Sequence, residues 1–145
     1  MDPQADGGRA RWQRRYAAAR ARGSDELDPG IARAGIELFR LLPATARRQV
    51  LLCTDLHPGN VLAAAREPWL VIDPKPYIGD PAYDPLQHML NFPGRLADDP
   101  GGFADRMAEL LGLDAGRLRS WLFARCVQES VGVPYLRAAA VQLAP

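Results

Sequence analysis

Between Asp55 and Lys75 the chain sets two carboxylates, Asp55 and Asp73, around an asparagine, Asn60. Together these groups meet the needs of a phosphoryl transfer to an alcohol. That reaction needs a carboxylate to orient the hydroxyl and take its proton, a role that suits Asp55. It also needs Mg2+ against the charge that develops on the phosphate oxygens. Mg2+ takes hard oxygen ligands and draws only one or two of them from the protein. The amide oxygen of Asn60 and the carboxylate of Asp73 are therefore a sufficient pair, with phosphates and water as the other ligands.

The order and spacing sharpen that reading. Protein kinases carry H-R-D-x-x-x-x-N followed by a metal-binding Asp, and here Cys53-Thr54-Asp55 precedes Asn60 and then Asp73, with only the leading His changed. Taken singly, each residue has an ordinary explanation: Asp73 can cap a turn against Pro74, and Asp55 can hold a loop. The three in register favour the phosphotransfer site. A metal-dependent hydrolase built from His57, Asp80, Asp84 and His88 is the rival, but it leaves Asn60 unused and has no H-x-H or H-E-x-x-H pattern. His57 is more simply a hydrogen-bonding partner that orders the loop.

The elements that must position these residues follow from pattern. Val61-Leu-Ala63 and Trp69-Leu-Val-Ile72 are apolar runs separated by Ala-Arg-Glu-Pro, the layout of a β-hairpin whose antiparallel strands bring Asn60 beside Asp73. Gln49 to Cys53 reads as a short buried strand leading into Asp55, and Asp73 would then stand at the end of another buried strand, where a carboxylate needs a cation or donors. Trp12, Tyr16 and Ala19 mark an amphipathic helix running to Arg22. Ile36, Leu38, Phe39 and Leu42 mark a second helix over 31–42, ended by Pro43. The proline-rich segment 76–100 predicts loop and short helix, and Gly102 to Leu111, Asp114 to Val131 and Pro134 to Leu143 predict three more helices, with Asp114 as an N-cap. The fold class is α+β, mainly α with a small β-hairpin. Residues 1–145 are expected to form a single domain, with 1–8 disordered.

A chain of 145 residues with 48% hydrophobic content can bury one ordinary core. Its 18 basic and 17 acidic side chains leave a formal charge of +1, which gives no footing for nucleic acid or an anionic membrane as partner. No apolar stretch is long enough to span a bilayer, and Cys53 and Cys126 form no C-x-x-C pair. Reduced thiols and a cytoplasmic location are the expectation.

From Arg48 to Asn91 the chain resembles the aminoglycoside phosphotransferase family of small-molecule kinases, most closely its branch of streptomycin 6-kinase-like and hydroxyurea-type antibiotic resistance kinases. The matching segments are Val50-Leu-Leu-Cys-Thr-Asp-Leu-His-Pro-Gly-Asn-Val-Leu, Arg66-Glu-Pro-Trp-Leu-Val-Ile-Asp-Pro-Lys and Gly79-Asp-Pro-Ala-Tyr-Asp-Pro. The resemblance implies a protein-kinase-like C-terminal lobe, Asp55 as catalytic base and Asn60 and Asp73 as Mg2+ ligands. It further implies Asp84 as a brace accepting hydrogen bonds from the catalytic loop, with Asp80 orienting the same segment. ATP would be the phosphoryl donor, and the acceptor a hydroxyl on a polar or cationic, aminoglycoside-like small molecule.

Two departures stand out. Cys53 occupies the place where most relatives carry His, and a small thiol can fill it without reacting, since no local base activates it. Family kinases also cover ATP with a glycine-rich strand-loop and a Lys on a following strand, and neither precedes Asp55. The expectation is a C-lobe fragment lacking the N-lobe: a truncated product, a split subunit or a piece of a longer protein, weak or inactive as a kinase when isolated. A non-catalytic remnant or binding module is the alternative. An exposed apolar face would in either case favour self-association or an N-lobe partner.

Overall fold

The computed structural model describes residues 27–145 together with the isolated positions Ala10, Arg14, Ala17 and Ala18, which are helical. The helix expected over Trp12 to Arg22 and the disorder expected over 1–8 otherwise lie outside the described residues.

Helix α1, Pro29–Ala44, starts where Asp28 caps it, the carboxylate accepting from the amides of Gly30 and Ile31 at 2.8 and 3.3 Å, with Pro29 supplying a first-turn residue that has no N–H to satisfy. Its buried stripe is Ala32, Gly35, Phe39 and Leu42. Pro43 lies inside the last turn and does not end the helix. Because a proline lacks only its own N–H, the chain turns once more before Thr45 donates back to Leu41.

Four three-residue strands follow as two separate antiparallel pairs. Strand β1, Val50–Leu52, pairs with β4, Tyr77–Gly79, in the register Val50↔Gly79. Strand β2, Val61–Ala63, pairs with β3, Trp69–Val71, in the register Val61↔Val71. The hairpin thus stands where the apolar runs place it, whereas β4 falls in a segment expected to be loop and short helix. Burial differs from expectation too. In β1 only Leu52 is buried, Leu51 being 69% exposed, and every residue of β3 is exposed, with Trp69 at 67%. The apolar runs form strands without being covered.

The rest is helical. A 3-10 turn, Pro81–Tyr83, leads into α2, Pro85–Leu90, then α3, Pro93–Asp98, α4, Pro100–Leu111, α5, Ala115–Glu129, and α6, Pro134–Leu143. Helix α4 begins two residues earlier than its apolar pattern suggests, because Asp99 caps it by accepting from Gly102. Asp114 caps α5 as its sequence position predicts, accepting from the Arg117 amide at 2.7 Å.

Helix α5 is the axis of the core. Leu118, Trp121, Leu122, Phe123, Ala124, Cys126 and Val127 are all buried on it, and α1, α4 and α6 pack around it. Burial pushes the Cys126 thiol up to about 12, which makes it a packing group and not a reactive one. Helix α1 approaches α5 at Gly35, where an added Cβ would fall 2.7 Å from Val127. Trp121 meets Phe39 and Tyr83 edge-on, with ring centroids 6.0 and 5.0 Å away. None of the described helices is long and apolar enough to cross a membrane.

Candidate functional site

Strand β1 delivers the chain into the loop at Cys53, and the loop's first turn is unusual. Thr54 has φ 53°, a left-handed conformation that a β-branched residue rarely adopts. The reason is visible in its bonds. The amides of Cys53 and Thr54 donate to the two carboxylate oxygens of Asp84 at 3.0 and 2.8 Å, and the Thr54 hydroxyl donates to the Lys75 carbonyl at 2.6 Å. Lys75 in turn donates its amide to the Cys53 carbonyl at 2.9 Å. Successive N–H groups converging on one carboxylate form a concave anion cradle, and these bonds offset a conformational cost of about 1–3 kcal/mol.

Asp84 stands at the N-cap position of α2 yet makes no capping bond there, because its carboxylate is turned to the loop. Asp80, four residues earlier, faces the other way. It is buried, one oxygen accepting from the Ala82 amide at 3.0 Å and the other from Arg117 Nε at 2.5 Å and Trp121 Nε1 at 2.7 Å. A buried carboxylate is tolerable only when so paired. The segment from Asp80 to Asp84 therefore fastens the loop to α5, Asp80 on the helix side and Asp84 on the loop side.

Beyond the turn, Pro58–Asn60 forms a short 3-10 helix capped by His57, whose Nδ1 accepts from the Gly59 amide at 3.1 Å. His57 Nε2 lies 3.9 Å from Asp55 Oδ1. Asn60 is tied down on two sides. Its Nδ2 donates to the Asp55 carbonyl at 3.0 Å, and its own carbonyl accepts from the Ile72 amide at 2.9 Å, which extends the β2–β3 ladder by one step. That step sets Asp73 immediately after the partner of Asn60. Asp73 also has a positive φ, 49°, a conformation Asp tolerates better than most residues.

Lys75 closes the group. Its Nζ lies 2.5 Å from Asp55 Oδ2, and this hydrogen bond, helped by the lysine charge and that of His57, holds the Asp55 carboxyl below its ordinary 3.8 despite some desolvation. The same bond raises Lys75 from its ordinary 10.5, and the charge of Asp73 adds to the effect. Asp55 is thus joined to Lys75 by its carboxylate and to Asn60 by its carbonyl, while Asp73 directly follows Ile72, the backbone partner of Asn60.

The donor chemistry fits a hard divalent cation. Among the described residues neither the Asp73 carboxylate nor the Asn60 side-chain oxygen is engaged by a hydrogen-bond donor, which leaves both as uncommitted oxygen ligands of the type Mg2+ takes. The Asp/His set of a hydrolase is not assembled. Among the described residues no group of three or more His, Cys, Asp or Glu is placed to hold a metal ion. His88 instead packs on Phe92 at 4.9 Å, where burial pushes its imidazole down. Cys53 is a free thiol pushed up by burial and by Asp84, the reverse of what a nucleophile needs.

Sequence reasoning assigned no role to Lys75 or Thr54. The one signal for Lys75 was that it is the sole lysine among the basic residues and directly follows Asp73-Pro74. Arg117 and Trp121, which neutralise and hold Asp80, sit in an ordinary amphipathic helix pattern that announces nothing.

Comparison with known proteins adds a family. The profile of the aminoglycoside/hydroxyurea antibiotic resistance kinases matches residues 8–133. A hydroxyurea phosphotransferase of Kitasatospora aureofaciens is 49% identical over 78 residues, 54% of this chain and 22% of that protein. Streptomycin 6-kinases of Streptomyces griseus and Streptomyces glaucescens are 42% and 38% identical, covering 53% and 65% of this chain and 27% and 34% of theirs. The chain thus spans about a fifth to a third of the length of these relatives, 22% to 34%. No solved structure matches it significantly.

Proposed function

The chain belongs to the aminoglycoside/hydroxyurea antibiotic resistance kinase family, and from that premise we propose that its hairpin and loop are the catalytic half of a phosphotransferase site on a protein-kinase-like C-terminal lobe. Asp55 is the base that takes the proton of the acceptor hydroxyl as its oxygen bonds to the terminal phosphorus of ATP, the bond to the bridging oxygen breaks and ADP leaves. Asn60 and Asp73 hold Mg2+, which when bound supplies the positive charge that phosphate oxygens need in the transition state. Lys75 keeps Asp55 ionised and oriented until the acceptor hydroxyl takes its place against the carboxylate. Asp84 fixes the loop, and Asp80 fixes Asp84's segment to the core. His57 orders the turn between Asp55 and Asn60.

The observation that carries this reading is the bond network joining Asp55, Asn60, the residue before Asp73, and Lys75. Among functions open to the family, the acceptor is a hydroxyl-bearing small polar or cationic molecule of the aminoglycoside type, by analogy with the relatives named for streptomycin. A cytoplasmic location and a single domain over 1–145 complete the proposal.

A second reading rests on a specific fact: the matches cover only 22%, 27% and 34% of the relatives' length. Positioning and charge stabilisation provide most of phosphoryl-transfer catalysis, so a lobe without an ATP-covering partner retains its residues but little rate. Leu51 and Ile78, which face each other across β1 and β4, and Leu62, Trp69 and Leu70 on the hairpin are all exposed, and this uncovered apolar surface is where such a lobe would dock, whether from a longer chain or a second one. In isolation the 145 residues would then act as a binding module or associate with themselves. A clean monomer by analytical ultracentrifugation would count against the self-association.

The deciding experiment is ATP-dependent phosphorylation of streptomycin by the chain alone and with the N-terminal segment of a streptomycin 6-kinase supplied in trans. Activity should appear or rise with the added segment, and Asp55→Ala should lower it by roughly 100-fold or more, the usual contribution of a general base. Equal turnover by the wild type and Asp55→Ala would remove the assignment of the base.

A further inference from the structure

A cavity of about 540 Å³ opens at the opposite end of β1 from Asp55, lined by Arg47, Arg48, Arg117, Asp80 and Asp114 together with Pro81 and Leu113. Its volume falls within the roughly 300–1,000 Å³ of small-molecule pockets. The register Val50↔Gly79 places Asp80, just past β4, beside the residues that lead into β1. About 10 Å of strand, three residues at the usual rise, separates this cavity from the loop.

The charges lining it are not equivalent. Asp80 is neutralised by Arg117 and held by Trp121. Arg117 is spent on Asp80, on Thr45 Oγ1 and on the Leu42 carbonyl at the end of α1. Asp114 is engaged with the first turn of its own helix. Arg47 and Arg48 are different: both are exposed, and neither makes a hydrogen bond or ion pair among the described residues. Two consecutive arginines lining a concave site, beside carboxylates already satisfied, are suited to a doubly charged oxyanion, since each guanidinium fork can take two oxygens at once.

We propose that this cavity binds a small phosphate monoester, the phosphate held by Arg47 and Arg48 and the organic body resting on Pro81 and Leu113. A phosphate carrying about −1.5 to −2 charge at neutral pH matches the pair of free guanidiniums better than a single carboxylate does. The cavity also holds far more than one phosphate ion, which leaves room for the body. The site is separate from the phosphotransfer loop and does not depend on the role given to Asp55.

The test is titration calorimetry of the 145-residue chain with glycerol 3-phosphate, inorganic phosphate and glycerol, with amide chemical-shift mapping of the same samples. Saturable binding of glycerol 3-phosphate is expected, with shifts centred on Arg48, Leu113 and Arg117. Arg47→Ala/Arg48→Ala, which removes no bond the fold uses, should weaken it by roughly tenfold or more, the loss expected for charge-assisted hydrogen bonds. Three outcomes would overturn the proposal: no saturation up to about 10 mM, a range where even very weak sites fill; unchanged affinity in a double variant that circular dichroism shows to be folded; or shifts centred on Asp55 and Asn60. Inorganic phosphate binding as tightly as the ester would overturn the part given to Pro81 and Leu113.

Discussion

Helix α5 and the two strand pairs place their apolar residues in opposite ways. Around α5 nearly every large apolar side chain is covered, and Phe123, Leu122 and Leu118 are lost to solvent almost entirely. In the two strand pairs, Leu51, Leu62, Trp69, Leu70, Val71 and Ile78 are open. The helical part is held by burial. The loop is held by hydrogen bonds, chiefly those reaching Asp84, and the strand pairs leave most of their large apolar side chains uncovered. The lesson is that a loop can be fixed in position by a few polar anchors to a buried helical core while the strands beside it keep their apolar side chains exposed.

That contrast can be broken most sharply at the core. Leu122→Ala removes a fully buried side chain where neighbours cannot collapse freely, and should cost about 2–5 kcal/mol in a denaturant melt. A loss well under that range would mean that α5 is not the axis of stability. Next in size is Asp84→Ala, which strips the amides of Cys53 and Thr54 of their acceptor at a cost of about 1–3 kcal/mol. Its distinguishing mark is local: amide exchange at Cys53 and Thr54 should accelerate far more than exchange within α5. Uniform acceleration would show that the loop and the core are not separable in this way.

A smaller effect lies at the Lys75 pair. Asp55 titrates below its ordinary 3.8 in the folded chain, so its share of stability is full above that value and fades as pH falls through the lowered one. Lys75 titrates above its ordinary 10.5, so its share is full below that value and fades as pH rises through the raised one. Between those limits the pair is intact. Lys75→Met should raise the Asp55 titration midpoint, followed by carboxyl carbon NMR, and an unmoved midpoint would show that Lys75 does not set it. The smallest change is expected at Trp69→Ala, which removes a large side chain but an uncovered one and should alter stability by no more than about 0.5 kcal/mol. A core-sized loss would place the hairpin within the core after all.

The sequence made the hairpin and most helices legible because their signals are local. Asp114 and the apolar runs at Val61 and Trp69 act over a few residues, and the structure follows them. Strand β4 was hidden because nothing near Tyr77-Ile-Gly79 names β1 as its partner; that pairing is made only once the chain has folded back. Burial was hidden for a different reason. An apolar run such as Trp69 to Ile72 has the same pattern whether a core or another lobe is meant to cover it. In the candidate site, Asn60 and Asp73 were placed near each other by antiparallel geometry, but the left-handed turn at Thr54 and the lysine against Asp55 depend on bonds between distant segments. Asp84 stands at a helix N-cap position while its carboxylate accepts from the loop, and it was the family resemblance, not any local pattern, that implied such a brace.

The account rests on Asn60 and Asp73 acting as one metal-binding pair beside Asp55, and paramagnetic line broadening with Mn2+ in place of Mg2+ tests this most directly. The signals of Asn60 and Asp73 should broaden before any others, and Asp73→Asn should abolish the effect while α5 stays folded. Broadening centred elsewhere, or surviving intact in Asp73→Asn, would contradict it.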